Sequence, residues 1–314
     1  MPRSTTPTNE GNSAGSRLAL AVMGLVFLVY LPVAVSSYMF HDDYLLLFDL
    51  SGSPPRQDPH YLGMIACGRP ISAEILFVVL KQYVPFFPTL TFFSLLRVVN
   101  AVSLAISAGL FFVWLGRIGG NRMFAVAMSV LLFTLPGCQV FASTAVSASH
   151  LPVLPFIFLA LLMLQRAGGP SGLGDVLSRR QLLFTGLAAI LLLISFFTYQ
   201  ATTFLFIACA PVVFLCSPQP FAERRSAFLQ HVGVFAVAGA VHVVIGVLIL
   251  QPLVHYMMGD IADPRAREMN LRPRNLISHE ISFPTKSHPT KSHPTKSRPM
   301  KSGSRQHPAS RSDA

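Results

Sequence analysis

Two adjacent carboxylates, Asp42 and Asp43, follow closely on an apolar run that ends at Val35. A carboxylate in such a place can remove the proton from a hydroxyl and so prepare its oxygen for attack, provided partial burial raises its proton affinity. Neighbouring residues project in different directions, so one can act while the other orients it or binds hydroxyls. The pair also reads as a hydrophilic helix end marking a membrane interface.

Gly68-Arg69-Pro70 is the second chemical feature. Proline is favoured in the first helical turn, and 71–84 has a helical pattern. Arg69 would then sit just ahead of a helix N-terminus, where backbone donors, the helix dipole and a guanidinium converge on an anion such as a phosphate. Gly68 would let a ligand approach the backbone. The competing reading is a capped helix whose arginine reaches for lipid headgroups. Tyr199 and Gln200 are polar residues at the tip of an apolar hairpin, suited to hydrogen-bonding a sugar or, for the tyrosine, to an aromatic belt. Arg97 and Asn100 lie early in a long apolar run. Arg97 could hold a lipid phosphate, pair with Asp42, Asp43 or Glu74, or snorkel. His150 could bind substrate or serve as a turn residue before Pro152.

These residues need elements to position them. Of the 314 residues, 52% are hydrophobic and only 12% charged, against about 25% charged in soluble domains. Apolar runs at 18–35, 71–88, 89–115, 123–140, 151–165, 182–198, 201–216 and 229–250 account for the difference, and the fold class is an all-α multi-span membrane protein. Residues 1–17 form a polar leader. That is long for a signal peptide, and the run behind it exceeds a typical h-region, so the first run is kept as a span.

Arg3 and Arg17 place the N-terminus in the cytoplasm. Arg117 with Arg122, Arg166 with Arg179-Arg180, and Arg224-Arg225 then all fall inside only if 71–88 does not cross. Glu74 and Lys81 share one helical face there, and Pro85 and Pro88 end the helix. The expectation is about seven transmembrane helices plus an interfacial helix at 71–84 within an outer loop at 36–91. This topology puts Asp42, Asp43, Arg69, Arg97, His150, Tyr199 and Gln200 on one membrane face. Mid-span polar groups are few, His242 being the exception.

The membrane domain is expected over 18–255, with a basic tail at 256–314 containing Pro-Thr-Lys-Ser-His repeats from Pro284. Such a tract cannot bury a core and is expected to be disordered. From Arg265 onward there are 11 basic and 3 acidic residues, which accounts for 8 of the net charge of +11. The basicity therefore belongs to the tail and gives no reason to expect nucleic-acid binding. Cys67, Cys138, Cys209 and Cys216 have no metal-ligand spacing. No cofactor is implied by any motif. Asp42-Asp43 lacks the spacing of a chelating pair, so no metal is required, with a divalent ion left open.

An acidic pair after the first span, Gly-Arg-Pro ahead of an apolar helix and Tyr-Gln at the end of a later span resemble the bacterial glucosyl transferase II family. Its members glucosylate the O-antigen of lipopolysaccharide. The resemblance covers roughly 18–250 and rests on the order and topology of short motifs. It implies a GT-C-like fold in the bacterial inner membrane with a periplasmic active face. The implied donor is a polyprenyl-phosphate sugar, typically glucose, and the implied acceptor a lipid-linked or surface glycan. Asp42 and Asp43 fall on the acidic pair, Gly68, Arg69 and Pro70 on the Gly-Arg-Pro, and Tyr199 and Gln200 on the Tyr-Gln. Two differences stand out. Tyr44-Leu45-Leu46-Leu47 follows the acidic pair where the family has a basic residue, and the repeat tail stands where the family has further spans, so the chain reads as shortened. The expected activity is hexosyl transfer. A flippase for lipid-linked sugar and an inactive remnant are the alternatives.

Overall fold

The computed structural model describes residues 10–36, 43, 58–80, 82, 89–119, 121–168 and 178–261. The chain divides into two units, Met1–Ala262 and Asp263–Ala314, and every described element belongs to the first. Asp42 and the repeat tract lie outside the described residues.

The described elements are all helical. The long helix α1 (Glu10–Val35) is followed in the first loop by α2 (Pro59–Ala66) and α3 (Pro70–Ala73), which continues as π-type turns over Glu74–Leu80. Next come α4 (Thr89–Ile118), α5 (Arg122–Thr134), α6 (Pro136–Ser143), two 3-10 turns (Ala145–Ser149 and Leu151–Val153) and α7 (Leu154–Ala167). The remainder is α8 (Arg179–Thr198), α9 (Gln200–Cys216), α10 (Phe221–Ile245), a π-type stretch (Gly246–Leu250) and α11 (Gln251–Ile261). Helix α11 thus extends into the region that composition assigns to the tail.

In α1, Ala19, Val22, Val26, Tyr30 and Ala34 are buried. Their spacing of three and four defines one helical stripe, which packs mainly on α4. Leu20, Leu25 and Leu28 on the other side are exposed, as are Leu182, Leu183, Leu187 and Ile190 of α8. Helices apolar on their exposed faces fit a hydrocarbon surrounding. Four helices are long and apolar enough to cross a membrane: Ala14–Val35, Leu90–Ile118, Arg179–Thr198 and Phe221–Met257. The bent pair α5 and α6 makes a fifth if it counts as one span. Pro136 causes that break, because it opens α6 at its first turn and leaves Leu135 extended.

Helix α2 went unanticipated, although Asp58-Pro59 is a start signal. The Asp58 carboxylate accepts from the His60 amide at 2.8 Å, as an N-cap does. The 70–80 helix is buried on one side and leaves Val79 exposed. Leu76 and Phe77 are buried in a cluster with Tyr61, Phe92, Phe93 and Leu96, and Glu74 accepts from Tyr61 Oη at 2.5 Å.

Candidate functional site

The break after α6 creates the first cluster. Residues 143–150 leave the regular helical ladder while largely buried, so their backbone groups need other partners. Side chains supply several. Arg97 Nε donates to Ser143 O at 2.7 Å and Asn100 Nδ2 to Thr144 O at 2.8 Å. The Ala145 amide donates to Asp43 Oδ1 at 2.7 Å. Arg97 Nη2 closes the arrangement on Asp43 Oδ2 at 2.7 Å, and its Nη1 donates to Ser36 O at 3.0 Å. Among the described residues Arg97 pairs with Asp43, one of its candidate partners from sequence, while Glu74 accepts from Tyr61. Arg97 is 1% exposed and Asp43 0%, so the pair is an internal brace for the broken segment.

The second cluster gathers Gly68, Arg69, His150, Tyr199 and Gln200. Tyr199 joins α8 to α9 as a single extended residue, φ −156° and ψ 104°. This places its ring and the Gln200 side chain together at the hairpin tip. Arg69 lies with its Cζ 4.6 Å from the Tyr199 ring centroid and donates from Nε to Gln200 Oε1 at 2.8 Å. Arg69 therefore pairs with Gln200, and its remaining N–H groups have no partner among the described residues. Gln200 Nε2 in turn donates to Cys67 O at 2.8 Å, and it stands 3.3 Å from His242 Nε2.

Gly68 is required for two reasons. Its φ is +76°, and a Cβ there would come within 2.9 Å of His242 Cε1 and 3.1 Å of Gln200 Nε2. The place a Cβ would take at Gly68 is thus filled by the protein's own side chains. His242, a polar group near the middle of the Phe221–Met257 span, is the residue that sequence reasoning did not connect with Gly68 and Gln200. A lone histidine in Ala240-Val241-His242-Val243-Val244 was the signal available, since polar groups in apolar helices usually meet a partner.

His150 stacks on Tyr199 with ring centroids 4.3 Å apart. Ser149 Oγ donates to Val146 O at 2.9 Å. The 3.3 Å contact with His150 Nδ1 therefore has the imidazole as donor, which leaves Nε2 as an acceptor. That atom is buried without a partner. Burial, and next the Arg69 charge, push the His150 pKa down to about 4. Ser72, at the start of α3, donates to Thr198 O at 2.6 Å and ties α3 to the hairpin.

Arg69, His150, Tyr199 and Ser147 line a cavity of about 360 Å³. Among the described residues its lining contains one cation and no carboxylate. The segment 143–150 separates the two clusters: Asp43 holds its backbone, and its side chains face the cavity. Among the described residues no three His, Cys, Asp or Glu side chains gather as a metal site. No family model, curated protein or solved structure matches this chain.

Proposed function

We propose that this chain is a membrane glycosyltransferase. It would move a hexose, glucose by the family resemblance, from a polyprenyl-phosphate donor to a lipid-linked or surface glycan such as O-antigen. The observation that carries the reading is Arg69: a guanidinium oriented by Gln200 and Tyr199, with unpartnered N–H groups, on a cavity without a carboxylate in its described lining. Such a group takes one phosphate, and a neutral His150 Nε2 beside it accepts from a sugar hydroxyl. The GT-C-like arrangement counts seven crossings: α1, α4, the α5–α6 pair, α7, α8, α9 and α10. Both clusters then lie at the periplasmic face of the inner membrane, with the N-terminus in the cytoplasm.

In the transfer step the acceptor hydroxyl gives its proton to a carboxylate. Its oxygen bonds to the sugar anomeric carbon, the bond from that carbon to the phosphate oxygen breaks, and polyprenyl phosphate leaves with the electron pair. Asp42 or Asp43 is the candidate base, and of the two Asp43 bonds to Arg97 and the Ala145 amide. Arg69 balances the growing charge on the leaving phosphate.

The test is sugar transfer from a polyprenyl-phosphate donor by Asp42→Asn, Asp43→Asn and Arg69→Gln, each in membranes with protein levels matched. Loss of transfer in the Arg69 variant and in one or both of the Asp42 and Asp43 variants is expected. Full activity in all three overturns the reading, and movement of lipid-linked sugar across vesicles without transfer would replace it with a flippase.

A further inference from the structure

A second cavity, of about 280 Å³, lies at the other end of α4, lined by Arg117, Arg166, Gln165 and His231 among others. Twenty helical residues separate Arg97 from Arg117, about 30 Å along the axis and so the thickness of a bilayer core. Arg117 and Arg166 end their helices exposed, and neither has an acidic partner among the described residues. Two acceptors sit with them. Gln165 Nε2 donates to Trp114 O at 3.2 Å, which turns Oε1 the other way, buried and unpartnered. His231 is 2% exposed. Its Nδ1 is 2.7 Å from Ala227 O, and a carbonyl only accepts, so the proton is on Nδ1 and the lone pair on Nε2. That Nε2 is also buried and unpartnered.

We propose that this cavity binds a phosphoethanolamine headgroup, with its phosphate between Arg117 and Arg166 and its ammonium at Gln165 Oε1 and His231 Nε2. The two halves of the cavity call for opposite chemistry. Two guanidiniums attract an anion, whereas two buried lone pairs ask for a donor and are costly to leave unpaired. A plain anion meets only the first demand. Phosphocholine meets the first but has no N–H for the second. A primary ammonium joined to a phosphate by two carbons meets both.

The full chain is reconstituted in nanodiscs of phosphatidylcholine, alone or with added phosphatidylethanolamine or phosphatidylglycerol. Phosphatidylethanolamine is expected to raise the thermal midpoint over that in phosphatidylcholine alone, with phosphatidylglycerol without effect. Arg166→Gln and Gln165→Met are each expected to raise the phosphatidylethanolamine required about tenfold, the size of one charge-assisted hydrogen bond. Free phosphoethanolamine added to phosphatidylcholine discs separates the sources. A response equal to that of the lipid makes the ligand soluble, and none makes it the membrane headgroup. The proposal is overturned by an equal response in all three lipids with none to free phosphoethanolamine. Phosphatidylglycerol matching phosphatidylethanolamine also overturns it, as does an unchanged response in an Arg166→Gln protein of normal thermal midpoint.

Discussion

Arg97 and Asp43 are 54 positions apart in sequence and meet at 2.7 Å with almost no exposure. The pair is embedded in further bonds: the guanidinium serves Ser143 O and Ser36 O, and the carboxylate serves the Ala145 amide. A buried ion pair is weak evidence of stability by itself, because desolvation offsets the attraction. What distinguishes this one is that both partners also satisfy the backbone of a helix break.

Removing one partner is therefore expected to cost more than removing both. Asp43→Asn leaves a buried guanidinium with a neutral partner, and Arg97→Gln leaves a buried carboxylate and orphans two carbonyls. Each should destabilise by about 3 to 5 kcal/mol. The double variant should lose clearly less than the sum. Thermal midpoints of the four proteins in one detergent close this cycle, and strict additivity would show that the pair is uncoupled.

Gly68→Ala tests the join between the first loop and the hairpin. The left-handed φ of +76° alone costs an alanine about 1 to 2 kcal/mol. The added Cβ also collides with His242 and Gln200, so Arg69 loses its orientation. A lower thermal midpoint together with lost sugar transfer is expected. His242→Ala in the same chain should recover only the part due to collision.

The sequence carried local signals well and partner choice poorly. The first span at α1, the span at α4 and the hairpin tip at Tyr199-Gln200 follow from the lengths of the apolar runs and the polar residues between them. Asp58-Pro59 also announced α2, but as one more Asp and Pro among the polar and Pro-rich residues 51–60. Arg97 had three acidic candidates, and its bond to Asp43 goes with the backbone demands of the segment that follows α6. No periodicity reports that. His242 lies 174 positions from Gly68, and only the packing of α10 beside the first loop makes the glycine necessary.

His150 gives a pH dependence. Its pKa falls from 6.5 to about 4 in the folded chain, from burial and then the Arg69 charge. Between these values the unfolded chain binds more protons. The stability is therefore complete above about pH 6.5 and lost as pH falls toward 4, by on the order of 3 kcal/mol. His150→Phe keeps a ring on Tyr199 and cannot titrate. Its thermal midpoint should fall less steeply over that window than that of the parent, and parallel curves would remove His150 from the account.

Gln200 separates orientation of Arg69 from simple charge. Gln200 Oε1 takes the Arg69 Nε proton at 2.8 Å, and its amide nitrogen is fixed by the Cys67 carbonyl at 2.8 Å. Gln200→Leu removes both bonds but keeps Arg69 and its charge. If the guanidinium binds the donor phosphate, loss of orientation should lower kcat/KM for the polyprenyl-phosphate sugar by about 10- to 100-fold, the equivalent of one to two charge-assisted bonds. Gln200→Glu keeps the acceptor for Nε, yet it puts a carboxylate against Arg69 that competes with the phosphate and faces the Cys67 carbonyl without a proton to donate. The glutamate variant should thus be the poorer enzyme, mainly through a raised KM. A charge-only role for Arg69 predicts that the leucine variant stays near parental activity while the glutamate variant alone fails, so measuring both variants on one donor series decides between positioning and bulk electrostatics.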